Sequence, residues 1–220
     1  MTLQAEVPSH PALRIVRFDG VQRAAHWANA LLFGILMLTA LPLYFPSLAD
    51  TVGRRPLVEA IHVWTGVVLP LPILISLLGP WGARMRRDVR RINKWTRDEV
   101  IWLRQLGGRG TPGVVDKFNP GQKLNAIFIG ASIVIMLASG CILKWFRFFP
   151  VDWRTGATFV HDVMAFAIFA VVIGHILFAL VHPQAMRSMI KGWVSEEWAA
   201  RHAPGWLQEE TGESEPEELP

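Results

Sequence analysis

Cysteine is nearly missing from this chain of 220 residues: Cys141 is the single one. One thiol excludes an intrachain disulfide, and without a Cys-x-x-Cys-His run covalent attachment of a c-type haem is excluded as well. An iron–sulfur cluster needs several thiolate ligands, so this chain cannot hold one alone. An apolar leader is also missing. Met1 to Val16 carries two prolines, Pro8 and Pro11, and no apolar core, so no cleavable signal peptide is expected. No internal repeat is evident. Acidic and basic residues are scarce across four long stretches, approximately 25–46, 57–79, 124–144 and 158–182.

What fills those stretches is hydrocarbon. Apolar residues make up 51% of the chain, more than an ordinary soluble domain of this size carries beside its charged surface. Each stretch is near the 20 or so residues that span a bilayer, which predicts four membrane spans. The fold expected is all-α: a four-transmembrane-helix bundle over 25–182, preceded by a leader at 1–24 and followed by a tail at 183–220. The acidic, proline-containing end beyond Gln208 is expected to be solvated.

The net charge of +4 does not point to nucleic acid. The basic residues crowd beside the spans, as in Arg84, Arg86, Arg87, Arg90, Arg91, Lys94 and Arg97, where they fix topology and meet anionic lipid headgroups. Four spans put both termini and the 80–123 connection on one side, and the short connections at 47–56 and 145–157 on the other. The first side carries 17 of the 22 Lys and Arg residues; the second carries 5, with Lys144 at the end of the third span among them. The positive-inside rule makes the richer side cytoplasmic. Asp88 to Gln105 reads as a basic amphipathic helix on that surface, between spans 2 and 3. Trp27, Trp64, Trp81, Trp145 and Trp153 fall near span ends, where an indole sits well at the membrane interface.

Ionisable side chains inside a membrane are costly and face a functional interior. His161 and His175 lie fourteen residues apart on the fourth stretch, which on a helix is a rise of about 21 Å and about 40° short of four whole turns. They share nearly one face at two depths. His26 opens the first span and His62 comes early in the second, so depth pairs His62 with His161 and His26 with His175. Each pair could supply the two axial nitrogens of a haem within a helix bundle. The competing reading of any one such histidine is an interhelical hydrogen bond worth about 0.6 kcal/mol; metal transport is another. Zinc fits less well, because no Cys, Asp or Glu joins either pair deep in the membrane and two imidazoles leave its coordination incomplete. His10, His182 and His202 take no ligand role in this reading, although His182 could belong to a proton route.

Arg23, one turn before His26, is suited equally to a haem propionate and to lipid headgroups. Gly66, Gly140 and Gly174 admit either a flat macrocycle or close helix approach. Lys117-Phe118-Asn119-Pro120-Gly121-Gln122-Lys123 precedes the third span at the level of the His26–His175 pair. Taken alone it reads as a helix cap with proline in the first turn. Its Asn, Gly amide and helix start would also suit a quinone carbonyl.

Phe18 to Trp27 (FDGVQRAAHW), Phe45-Pro46-Ser47-Leu48, the KFNPGQK run and Gly192 to Trp206 (GWVSEEWAARHAPGW) together resemble the gamma subunit of membrane-bound formate dehydrogenase. The resemblance covers roughly residues 14–208. It implies a dihaem cytochrome b of the bacterial inner membrane, with His62 and His161 on the outer haem b and His26 and His175 on the inner one. It further implies that Asn119, Gly121 and Gln122 line a site for menaquinone or ubiquinone. The partners implied are an iron–sulfur beta subunit and a molybdenum or tungsten catalytic alpha subunit, assembled as a trimer of heterotrimers. At Arg201-His202-Ala203-Pro204 the chain departs from the double histidine that members often carry. Related cytochromes serve nickel–iron hydrogenase and thiosulfate reductase, and a transporter or membrane anchor is the alternative from another class.

Overall fold

The computed structural model describes residues 13–105 and 116–212. His10 and the acidic residues after Gly212 lie outside the described residues. Eleven α-helices are seen there: α1 Gly20–Tyr44, α2 Pro46–Val52, α3 Arg55–Val68, α4 Leu71–Leu77, α5 Ala83–Asn93, α6 Arg97–Arg104, α7 Pro120–Lys144, α8 Val151–Val181, α9 Pro183–Lys191, α10 Glu196–His202 and α11 Pro204–Thr211. Two short strands, β1 Arg14–Val16 and β2 Trp193–Ser195, pair antiparallel with Ile15 opposite Val194.

Four helical stretches are long and apolar enough to cross a membrane: α1, α3 with α4, α7 and α8, of 25, 23, 25 and 31 residues. The bundle is apolar outside, with Leu31, Leu38, Val134, Phe159 and Leu180 among its exposed residues, and small or polar inside, where Asn29, Ser76, Ser132 and Ser139 are buried. That inversion suits a lipid solvent, in which helices associate through small residues and interhelical hydrogen bonds.

The helix ends follow local chemistry. Asp19 starts α1 earlier than the apolar run does, because its Oδ1 accepts from the Gln22 amide at 2.8 Å while Gln22 Oε1 accepts from the Asp19 amide at 3.0 Å. The second span breaks after Val68, where Pro70 and Pro72 cannot donate backbone hydrogens. Asn29 of α1 reaches across and donates Nδ2 to the Leu69 carbonyl at 3.1 Å, the repair that makes a proline break tolerable in lipid. The fourth span begins at Val151, ahead of the expected 158. At 31 residues it is about 46 Å long, so its ends run past a hydrocarbon core about 30 Å thick.

The surface helix expected over Asp88–Gln105 is two helices. Thr96 caps a new start at α6 by accepting from the Glu99 amide, and the chain turns between Asn93 and Arg97. Described parts of the leader and tail form one polar cap joined by the β1–β2 ribbon. Its core is Val194, Ala199, Ala203 and Trp206, with Ile15 and Leu207 packed against it. Gly192, at φ +89°, lets the ribbon close: its carbonyl accepts from the Arg17 and Phe18 amides, and a Cβ there would lie 2.8 Å from the Phe18 carbonyl oxygen.

Candidate functional site

Two histidine pairs stand ring to ring between helices, with His26, His62 and His161 half-buried and His175 exposed. His62 of α3 and His161 of α8 have ring centroids 6.4 Å apart, and His26 of α1 and His175 of α8 have them 6.3 Å apart, with the planes of each pair crossing at 63° and 61°. These separations are too long for a direct hydrogen bond and too regular for casual packing. A metal bound to two imidazole nitrogens at about 2 Å each would set the ring centroids about 6.3 Å apart, so one iron fits between the rings of either pair. Among the described residues no third His, Cys, Asp or Glu joins either pair. The donor set is thus two neutral nitrogens per site, which suits an iron whose other four ligands come from a porphyrin.

The His62–His161 pair, nearer the short connections, has hydroxyl neighbours. Thr39 Oγ1 lies 2.9 Å from His62 Nδ1, and Ser139 Oγ lies 2.9 Å from His161 Nδ1. Gly140 sits beside the same ring, where an added Cβ would be 3.5 Å from His161 Cε1. Gly66 approaches the Leu36 side chain instead, and at Gly174 no atom lies within 4 Å of where a Cβ would be. His26 also has the Trp27 ring edge-on at 5.3 Å.

Near the His26–His175 pair in the chain, Arg23 donates Nη1 to the Ile190 carbonyl at 2.6 Å, and Trp27 donates Nε1 to the Met189 carbonyl at 3.0 Å. Both contacts fasten α1 to the end of α9, and the Arg23 side chain also reaches back to the Asp19 carbonyl, 3.4 Å from Nε.

Asn119 and Gln122 form a capping box on α7, with Pro120 at its first position. Asn119 Oδ1 accepts from the Gln122 amide at 2.9 Å, and Gln122 Oε1 accepts from the Asn119 amide at 3.1 Å. This is the device that starts α1, with one difference. Gln22 donates its side-chain NH2 to Asp88 Oδ2, whereas neither Asn119 Nδ2 nor Gln122 Nε2 donates to any partner among the described residues. Gly121 lies in the same turn, with Asn119 Oδ1 3.4 Å from where its Cβ would be.

A buried ionic node that the sequence did not reveal supports this turn. Lys117 donates Nζ to Asp88 Oδ2 at 2.6 Å, Gln22 donates to the same oxygen, and Arg17 donates Nη2 to the Lys117 carbonyl at 3.0 Å. Asp88 and Lys117 are only 4% and 5% exposed. The rings of Phe18 and Phe118 stand 4.9 and 5.6 Å from Lys117 Nζ. Burial lowers the Lys117 pKa, against the pull of Asp88 and with the push of Arg17 and Arg91, and it lowers Arg17 to about 10. Arg91 is opposed by burial too, yet Glu209 and Asp116 outweigh it and raise its pKa. Lys123 is held by Glu99 and the Lys94 carbonyl, tying α6 to the start of α7.

Four membrane-length helices with histidine pairs facing each other at two depths define a membrane-embedded cytochrome b. The chain belongs to the prokaryotic cytochrome b561 family, whose model matches residues 17–192. It is similar to the formate dehydrogenase cytochrome b556 subunit of Haemophilus influenzae (strain ATCC 51907 / DSM 11121 / KW20 / Rd), 27% identical over 205 residues covering 90% of this chain and 84% of that one. It is also similar to two subunits of Escherichia coli (strain K12). One is the formate dehydrogenase cytochrome b556(fdo) subunit, 29% identical with 89% and 92% covered. The other is the nitrate-inducible formate dehydrogenase cytochrome b556(Fdn) subunit, 24% identical with 89% and 91% covered. The cofactor that this family implies is haem b.

Proposed function

We propose that this chain is the cytochrome b subunit of a formate dehydrogenase complex, taking electrons from an iron–sulfur partner subunit outside the membrane and delivering them to a quinone on the cytoplasmic side. Bound haem b would supply the one-electron carriers, one at each depth. The carrying observation is the matched separation of the two histidine pairs, 6.4 and 6.3 Å.

His62 and His161 would ligate the outer haem, His26 and His175 the inner one. Arg23, one turn before His26, would meet a propionate of the inner haem. At the cap, Asn119 Nδ2 and Gln122 Nε2 offer hydrogens to a quinone carbonyl, and Gly121 keeps the α7 start bare of a side chain. The Lys117–Asp88 node holds that turn in place. With protons for the quinol drawn from the cytoplasm and electrons arriving from outside, each electron works against about 2.3 kcal/mol per 100 mV of membrane potential. The same site can reduce menaquinone or ubiquinone. The relatives named above are all formate dehydrogenase subunits, which favours a molybdenum or tungsten formate-oxidising partner over hydrogenase or thiosulfate reductase.

Four single alanine variants test the pairing. His62→Ala and His161→Ala should remove the same spectral component, and His26→Ala and His175→Ala the other. Loss of different components within a pair would break the assignment.

A further inference from the structure

We infer that Thr39 and Ser139 are positioning residues for the outer haem: each fixes the tautomer and ring plane of one axial histidine, and together they make the outer ligands electron-richer than the inner ones. The inference rests on the dihaem reading above and assigns a task to two residues that are neither ligands nor quinone contacts.

Hydrogen-bond geometry settles which way each hydroxyl points. Thr39 Oγ1 lies 2.7 Å from the Ile35 carbonyl oxygen, and Ser139 Oγ lies 2.8 Å from the Ile135 carbonyl oxygen. Two oxygens that close repel unless a hydrogen lies between them. A hydroxyl has one hydrogen, so in both residues it is committed to the helix backbone. What remains at 2.9 Å from the histidine is an oxygen lone pair, and His62 Nδ1 and His161 Nδ1 must therefore be the protonated nitrogens. Each ring is left with its free lone pair on Nε2, the form that can bind iron. The two hydroxyls come from different helices, α1 and α7, yet act on one pair. Ser139 is followed by Gly140, whose missing side chain gives the His161 ring room beside α7.

The inner pair is built otherwise. Neither ring nitrogen of His26 or His175 has a hydrogen-bond partner among the described residues; the aromatic rings beside them are each other's and, for His26, that of Trp27. A partner that accepts from Nδ1–H raises the basicity of the ligating nitrogen. A more basic ligand favours ferric over ferrous iron, so the outer haem should have the lower potential. Electron flow from outer to inner haem is then downhill, the direction the proposed function needs.

The test uses the full chain purified in its complex, with Thr39→Val and Ser139→Ala as variants and Thr39→Ser and Ser139→Thr as conservative controls. His161→Ala first identifies the inner haem as the surviving component in a redox titration. Haem content is then counted, so that a dihaem failure shows separately: a wild-type chain without two haems overturns the dihaem reading and this inference with it. With two haems present, Thr39→Val or Ser139→Ala should raise the potential of only the component that His161→Ala removes. The ferric-to-ferrous ratio at a fixed potential should fall by up to about tenfold, which is about 59 mV, and the conservative variants should keep the wild-type value. Loss of that one haem in Thr39→Val or Ser139→Ala, with its retention in Thr39→Ser and Ser139→Thr, supports the inference equally, since such partners of a ligand carry about 10- to 100-fold in affinity. An unmoved outer potential overturns it, as does a shift confined to the inner haem.

Discussion

Asn119 spends its side-chain oxygen on the start of α7 and keeps its NH2 for something else. Asn119→Ser separates the two duties. A serine oxygen still caps the helix, so stability should change by less than the roughly 1 kcal/mol that Asn119→Ala costs. The amide donor is lost in both, and the KM for quinone should rise by up to about tenfold, the worth of one hydrogen bond. Thermal unfolding and quinone titration check the pair; a KM untouched in both would remove Asn119 from the quinone site. Gly140 gives a second residue-scale outcome. Alanine there makes only an ordinary contact with the His161 ring, whereas leucine must displace it, so Gly140→Leu should lose one haem and Gly140→Ala neither. An absorption spectrum decides. The pairing of His62 with His161 and of His26 with His175 was legible in the sequence because helical periodicity and depth need no knowledge of neighbours. Thr39 and Ser139 were not, since hydroxyls bonding to the carbonyl four residues back are ordinary in membrane helices and only the helix azimuths bring these two onto histidines.

Among the elements, the cap shows where patterning failed. The basic stretch from Asp88 reads as one amphipathic surface helix to Gln105, but the structure turns Asp88 inward against Lys117 and Gln22 and ends the helix at Asn93. The capping box Thr96–Glu99 was present in the sequence and marks the second start. Asp88→Asn should cost about 3–5 kcal/mol, because it leaves the buried Lys117 cation without its counter-charge. A double variant, Asp88→Asn with Lys117→Met, should recover part of that loss. Burial holds the folded Lys117 pKa below its ordinary 10.5, so in that window the unfolded chain binds the proton that the folded chain has released. Stability tied to this lysine therefore rises with pH there, and the Asp88→Asn deficit should narrow as pH approaches 10.5. Chemical denaturation across pH checks the sign; a deficit that widens would contradict it. The four spans themselves were legible to within a helical turn or two. Their departures have local causes in Asp19, Pro70 and the interfacial turns that precede Thr158.

At the scale of the molecule, the proposed function has the bundle set two redox levels across a membrane while the polar cap closes one end. The proposed orientation, with that end in the cytoplasm, rests on the 17-to-5 distribution of basic residues and the positive-inside rule. In proteoliposomes of the complex, quinone reduction should build a potential that collapses with a protonophore; turnover with no potential would place both half-reactions on one side. All of this depends on two haems in one chain. Pyridine haemochrome quantification of the purified chain measures that directly: about two haem b per chain are expected. A value near one, or a chain that folds and purifies without haem, would contradict the account.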